Sequence, residues 1–119
     1  MTVNKMLPHP GAHIAGEVAG VSRDSIVVVG GAYASGTVLG EKDDGTFTQL
    51  DLAVDATEAN TAEVVLYGHI DATAGPVPAV AHARVCGVYD AKLTWPDGMT
   101  EVQKTDAVAN LAKKQIVLR

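Results

Sequence analysis

The sequence has few of the residues on which several classes of protein depend. Cys86 is its only cysteine, which excludes an intramolecular disulfide framework and a thiolate metal cluster, and we expect Cys86 to be a buried apolar side chain in a strand. Aromatic residues make up only 4% of the 119 residues. The core must therefore be built from Val, Ala, Leu and Ile, which bury less area per residue, and we expect association between subunits to add stability.

Positive charge and long apolar runs are also scarce. Nine basic residues stand against fourteen acidic ones, and the formal net charge of -5 is opposite in sign to that of typical nucleic-acid-binding proteins. No window approaches the roughly 18 apolar residues of a membrane span, and the first eight residues lack the apolar core of a secretory signal. We therefore expect no nucleic-acid partner, no membrane partner, and a protein that is soluble where it is made.

No motif for phosphate binding or catalysis is complete. Residues 31–37 have the glycine spacing of a phosphate-binding loop, but Thr37 stands where the lysine is required, so we predict a glycine-rich turn. Glu41, Asp43 and Asp44 surround an Asp-Gly turn, where acidic residues are favoured by turn geometry alone. We predict that the protein is not an enzyme.

The histidines do not form a recognisable metal-binding pattern. They lack the one-turn helical spacing of a zinc hydrolase, and no carboxylate lies at the matching offset. We expect their side chains to be exposed or locally bonded: His9, His13, His69 and His82. The sequence thus predicts neither a metal nor a cofactor.

The first 22 residues differ in composition from the rest of the chain. Prolines and glycines recur there among scattered apolar residues, a mixture that sustains neither helical nor strand periodicity. We predict an extended N-terminal arm over residues 1–22 and a β-rich domain over residues 23–119. The apolar residues of such an arm are too sparse for a core but sufficient to anchor it on another surface.

Strand patterns dominate the domain. The β-branched run at residues 26–29 stops at Gly30-Gly31 and predicts a strand buried on both faces. Residues 37–40 and 46–50 flank an Asp-Gly pair and predict a hairpin. Residues 63–67 and 79–88 are further strand candidates.

Only one segment has clear helical features. After a turn at Trp95-Pro96-Asp97-Gly98, Thr100 and Gln103 have the spacing of a capping box, which predicts a helix that runs to about Lys114. The predicted apolar face consists of Val102, Val108, Leu111 and Ala112. The last apolar residues, 116–118, predict a short strand or a packed tail. The expected fold class is therefore mainly β, with one C-terminal helix and an extended N-terminal arm.

The order of these segments resembles that of the lambda-type bacteriophage head decoration proteins. The resemblance begins with Ser22-Arg23-Asp24-Ser25-Ile26-Val27-Val28-Val29 and Ala34-Ser35-Gly36-Thr37-Val38-Leu39-Gly40. It continues through Phe47-Thr48-Gln49-Leu50-Asp51 and Lys92-Leu93-Thr94-Trp95-Pro96-Asp97-Gly98 to the closing Gln115-Ile116-Val117-Leu118-Arg119. It covers nearly the whole domain.

The resemblance implies a structural role on a phage head. It implies a small barrel-like or β-tulip domain, assembly into homotrimers, and docking on the outer surface of the expanded capsid at three-fold and quasi-three-fold sites, where the protein stabilises the shell. The partner is the major capsid protein, and synthesis is expected in the host bacterial cytoplasm. The capsid-binding arm residues are expected to be Pro8, Pro10, Gly11, His13, Ile14 and Val18.

Deleting residues 1–21 should leave a folded trimer that no longer binds expanded capsids, with Ile14 and Val18 as the first candidates for anchors. The alternative function is that of a phage tail or fibre β-domain that binds a receptor or glycan, which exposed aromatic side chains would favour. A small enzyme would instead need a pocket in which acids or histidines converge.

Overall fold

A computed structural model describes residues 11–53 and 56–119. The strands in these residues are β1 (Ile14–Glu17), β2 (Arg23–Val28), β3 (Ala32–Tyr33), β4 (Val38–Glu41), β5 (Phe47–Gln49), β6 (Val64–Tyr67), β7 (Ile70–Asp71), β8 (Val77–His82), β9 (Cys86–Val88) and β10 (Ile116–Leu118). One α-helix, α1, spans Glu101–Lys113, and a short 3-10 helix spans Asp90–Lys92. The predicted fold class, mainly β with one helix near the C-terminus, is confirmed.

The body of the protein is a closed five-stranded barrel with the strand order β2-β5-β4-β6-β8. The hairpin predicted around the Asp-Gly turn is β4 and β5, which pair antiparallel with Leu39 opposite Gln49. A single parallel pair, Val28 with Phe47, joins β2 to β5 and closes the barrel. Closure leaves none of these five strands with a free edge along its whole length.

Two apolar clusters lie on opposite sides of the barrel wall. The first fills the barrel and includes Leu39, Val64 and Leu66, whereas the second lies under α1 and includes Val65 and Leu111. Because successive residues of a strand face opposite sides of a sheet, β6 contributes to both clusters. This two-sided burial explains its continuous apolar sequence.

The prediction that residues 26–29 are buried on both faces is wrong. Val28 is fully buried inside the barrel, but Val27 points outward and is 39% exposed. The strand pairs along its length with β8, and its outer face is not covered as that of β6 is. The β-branched run therefore predicted the strand correctly, but it did not show how many faces of the strand are covered.

A second sheet is attached to the barrel, with the strand order β1-β9-β10. β9 lies between β1, with which it pairs antiparallel, and β10, with which it pairs parallel. Its buried residues Cys86 and Val88 join the cluster under α1, as does Ile116 of β10. The expectation of a buried Cys86 in a strand is confirmed.

The helix begins as the sequence predicts and ends one residue earlier. The Thr100 side chain accepts a hydrogen bond from the Gln103 backbone, and the Gln103 side chain accepts one from the Thr100 backbone, which is a complete capping box. Leu111 is buried as expected, but Val102 is 71% exposed and Ala107 takes the second buried position. The predicted apolar face is therefore wrong at Val102, which lies in the first turn, and at Ala112, which is also exposed.

Candidate functional site

The leading segment, for which an arm was predicted, is in its described part attached to the folded body. β1 pairs with β9, and the Tyr89 backbone N–H donates to the His13 carbonyl oxygen at 2.7 Å. Ser22 is fully buried, where its hydroxyl accepts from the Val18 backbone at 2.8 Å and donates to the Val85 carbonyl at 2.6 Å. Residues 13–22 thus make ordered contacts with the domain.

The predicted binding residues have different environments. His13 is only 2% exposed, and Gly11 and Ile14 are half-buried, whereas Val18 is 46% exposed. Pro8 and Pro10 lie outside the described residues. Of the predicted residues that the structure describes, Val18 offers the most apolar surface to a partner.

Val18 lies at the rim of a shallow depression on the outer face of the second sheet. The depression has a volume of about 480 Å³, and its lining includes Ala15, Gly87, Val85, Val117 and Arg119. A Cβ atom added at Gly87 would lie 3.4 Å from the Ala15 methyl group, so the small residues form a flat floor between two exposed valines, Val18 and Val117.

Five side chains that contact one another form what we call the anchor cluster: His13, Glu17, Arg23, Tyr67 and His82. Glu17 accepts two hydrogen bonds from Arg23, at 2.7 and 2.9 Å, and its Oε2 lies 2.5 Å from His82 Nε2. The Arg23 guanidinium carbon lies 4.1 Å from the centre of the Tyr67 ring. The cluster therefore joins β1 to three barrel strands, β2, β6 and β8.

The two imidazoles of the anchor cluster are buried against each other. The ring centres of His13 and His82 are 5.7 Å apart, and the rings meet edge to face. Next to them, Gly36 has a φ of +94°, and an added Cβ atom would lie 3.5 Å from His13 Cγ and 2.9 Å from the Lys92 carbonyl oxygen. Only glycine fits there without strain, so Gly36 makes room for the His13 ring.

The surroundings of His13 and Glu17 lower the pKa values of both groups. The pKa of His13 is lowered from 6.5 to about 4, first by burial and then by the charges of His82 and Arg23, while Glu17 opposes the shift. The pKa of Glu17 is lowered from 4.5 to about 2, chiefly because its carboxylate accepts hydrogen bonds from Arg23, with a smaller contribution from His82. At neutral pH, Glu17 is ionised and His13 is neutral.

The expectation that all histidines are exposed or locally bonded is wrong for two of them. His69 is exposed and its Nδ1 accepts from the Ser35 backbone, as expected of a locally bonded side chain. His13 and His82 are instead buried. Sequence reasoning also missed Glu17 and Arg23, and their six-residue separation around a Gly-containing turn was the only local signal that could have suggested a pair.

The other candidate sites have ordinary structural explanations. Asp44 accepts from the backbone and the hydroxyl of Thr46, which is a local turn interaction. Within residues 11–53 and 56–119, no group of three or more His, Cys, Asp or Glu side chains could hold a metal ion. In the same ranges, no helix combines the length and apolar character needed to cross a membrane.

The fold and the site define a small β-barrel protein whose leading strand, β1, is joined to the barrel by the anchor cluster and is followed by the exposed Val18. The family described as Bacteriophage lambda head decoration protein D matches residues 4–116, and the chain belongs to this family. The predicted resemblance is therefore confirmed. A comparison with curated proteins found no match.

Membership defines the general role of the protein. Head decoration proteins are structural proteins of the phage capsid, so the chain binds a capsid and is located in the virion. The β-rich structure agrees with this assignment.

Proposed function

We propose that this protein binds the outer surface of the expanded head as homotrimers, at three-fold and quasi-three-fold sites, and stabilises the shell. The observation that carries the proposal is the match to the head decoration family over residues 4–116. The partner is the major capsid protein, and the protein acts without catalysis after synthesis in the host cytoplasm. Three copies, each with a formal charge of -5, would together carry -15, which suits an outer surface better than one that faces DNA.

Within this proposal, the leading segment contacts the capsid. Pro8, Pro10 and Gly11 precede the part that is fixed to the barrel, His13 and Ile14 hold that part in place, and Val18 contributes exposed apolar surface. A trimer presents three such segments at once. Because joint engagement raises the effective concentration of each contact, weak individual contacts can give an avidity gain of about 100-fold or more.

The structure indicates that a shorter deletion than residues 1–21 is the better test of this role. Deletion of residues 1–21 would remove β1 together with His13 and Glu17, and would expose the β9 edge with which β1 pairs. Deletion of residues 1–10 leaves all these contacts intact. We expect the shorter deletion to fold normally and to lose binding to expanded shells.

Electron microscopy of purified expanded shells incubated with the full chain tests the site of binding. We expect protrusions at three-fold and quasi-three-fold positions, and none with the chain that lacks residues 1–10. Shells without protrusions, or a protein that prefers isolated coat subunits, would overturn the proposal. Binding to a glycan array without binding to shells would support the alternative, a tail or fibre domain.

A pair of exposed valines provides a matched test of the contact surface. Val18→Ser should weaken shell binding about tenfold, because each trimer loses three buried apolar contacts. The control is Val102→Ser, at a residue of the first turn of α1 that is more exposed than Val18. This variant should bind shells as the unaltered protein does. Sedimentation with shells measures both. Equal binding by the two variants would remove Val18 from the contact surface.

A further inference from the structure

The anchor cluster contains two buried polar atoms that the fold does not satisfy. His13 Nε2 and His82 Nδ1 are both buried and have no hydrogen-bond partner among the described residues. Buried polar groups are normally bonded, since an unpaired one loses its hydration without compensation. Two such atoms in contacting rings make this the most unusual polar site in the described part of the chain.

The one carboxylate that acts on His13 is already paired with other groups when His13 carries no proton. The groups that act on His13 are His82, Arg23 and Glu17, and the single carboxylate among them is shared between Arg23 and His82. Tyr67 covers Arg23 from β6. Cys86 of β9, the strand partner of Glu17, adds no negative charge, because burial raises the pKa of its thiol to about 11. A proton on His13 would therefore be a buried positive charge beside Arg23, with no carboxylate of its own.

We propose that the His13–His82 pair is a pH-sensitive anchor, which holds β1 on the body at neutral pH and releases it when acidification places a proton on His13. Release requires only local changes. β1 has four residues and, among the described strands, pairs with β9 alone at the edge of its sheet, so it can separate while the barrel remains closed. This inference concerns the isolated chain and stands independently of the proposed capsid site.

The direction of the pH effect follows from proton linkage. A released His13 binds its proton near pH 6.5, whereas the attached His13 does so near pH 4, so the released state binds more protons between these values. Attachment is therefore strongest above pH 6.5 and weakens as the pH falls toward 4. At pH 4.5 the released fraction should rise on the order of 50-fold relative to pH 7.5. While β1 is attached, the pKa of Glu17 is about 2, so its carboxylate stays ionised throughout this range.

Nuclear magnetic resonance of the full chain, labelled with ¹⁵N, tests the proposal through amide exchange protection factors at pH 7.5, 6.0 and 4.5. We expect the protection factors of Ile14–Glu17 to fall at least tenfold between pH 7.5 and 4.5, while those of Val64–Tyr67 in the barrel stay constant. Unchanged protection of β1, or loss of β1 and barrel protection together, would overturn the proposal.

Substitutions identify the group responsible. His13→Met keeps a side chain of similar size without a titrating nitrogen and should remove most of the pH dependence of β1 protection over this range; the small remainder is due to Glu17. His69→Gln, at an exposed histidine outside the cluster, is the control and should leave the pH dependence unchanged. If His13→Met does not fold, the imidazole titration of the unaltered chain decides: a His13 pKa near 4 supports the proposal, and one near 6.5 contradicts it.

Discussion

Among the glycines of the described residues, Gly40 leaves the least room for a Cβ atom beside another part of the backbone. It is buried in β4, and an added Cβ atom would lie 2.7 Å from the Ala59 carbonyl oxygen and 2.9 Å from the Ala59 Cα atom. A backbone cannot move aside as a flexible side chain can. Gly40→Ala must therefore push the loop that contains Ala59 away from the barrel. We expect the free energy of unfolding to fall by about 1 to 3 kcal/mol, measured as a lower midpoint of urea denaturation.

Gly16→Ala is the control for this prediction. An added Cβ atom at Gly16 meets no atom within 4 Å, so the substitution adds a methyl group in open space. Its urea midpoint should remain close to that of the unaltered chain. Equal midpoints for the two variants would show that the loop around Ala59 can move aside without a loss of stability.

Which residues would form the anchor cluster could not be predicted from the sequence. His82 and Glu17 are 65 positions apart, and no short motif connects them. Composition alone favoured exposed histidines, whereas tertiary structure brings His13 and His82 into one buried contact. Ile14 and Val18 were predicted together as the first candidates for anchors, and only the structure separates the half-buried Ile14 from the exposed Val18.

Among the secondary-structure elements, α1 begins with a capping box, a pair of local hydrogen bonds at its first turn. The reciprocal hydrogen bonds of Thr100 and Gln103 satisfy backbone N–H groups that have no partner within the helix. Thr100→Ala removes one of these bonds. We expect a loss of about 1 kcal/mol, seen as a fall of about 4 °C in the thermal unfolding midpoint.

Thr105→Ala is the matched control within the same helix. Thr105 is exposed in the helix interior, where alanine has the higher helix propensity, so the midpoint should stay the same or rise slightly. A Thr100→Ala midpoint equal to that of Thr105→Ala would mean that the cap does not contribute to stability.

The elements that could be predicted from the sequence are those determined by neighbouring residues. The β4–β5 hairpin follows from its Asp-Gly turn, and the start of α1 follows from its capping box. The pairing of β1 with β9, and of β9 with β10, joins segments far apart in the chain. No local pattern specifies such partners, so the leading segment, rich in glycine and proline, resembled an arm although part of it is a strand.

At the scale of the whole molecule, stability and binding are linked through the exposed sheet. The barrel and the space under α1 enclose the two apolar clusters, while Val18 and Val117 remain exposed on the outer face of the second sheet. An exposed apolar surface of this kind lowers the free energy of the system only when a partner covers it and removes it from water. The proposed partner is an assembled shell, in which many copies can be covered at once.

The last prediction is that the protein protects expanded shells in proportion to the occupancy of its sites. A ligand that binds the assembled shell but not the separated subunits stabilises the shell by mass action, by about 2.7 kcal/mol per site at 100 times its Kd. The temperature of shell disruption, followed by light scattering, should therefore rise steadily with the concentration of free protein. Val18→Ser should give the same rise at about tenfold higher concentration, because it weakens binding without altering the shell. A disruption temperature that does not change at concentrations where microscopy shows filled sites would mean that the protein decorates the head without stabilising it.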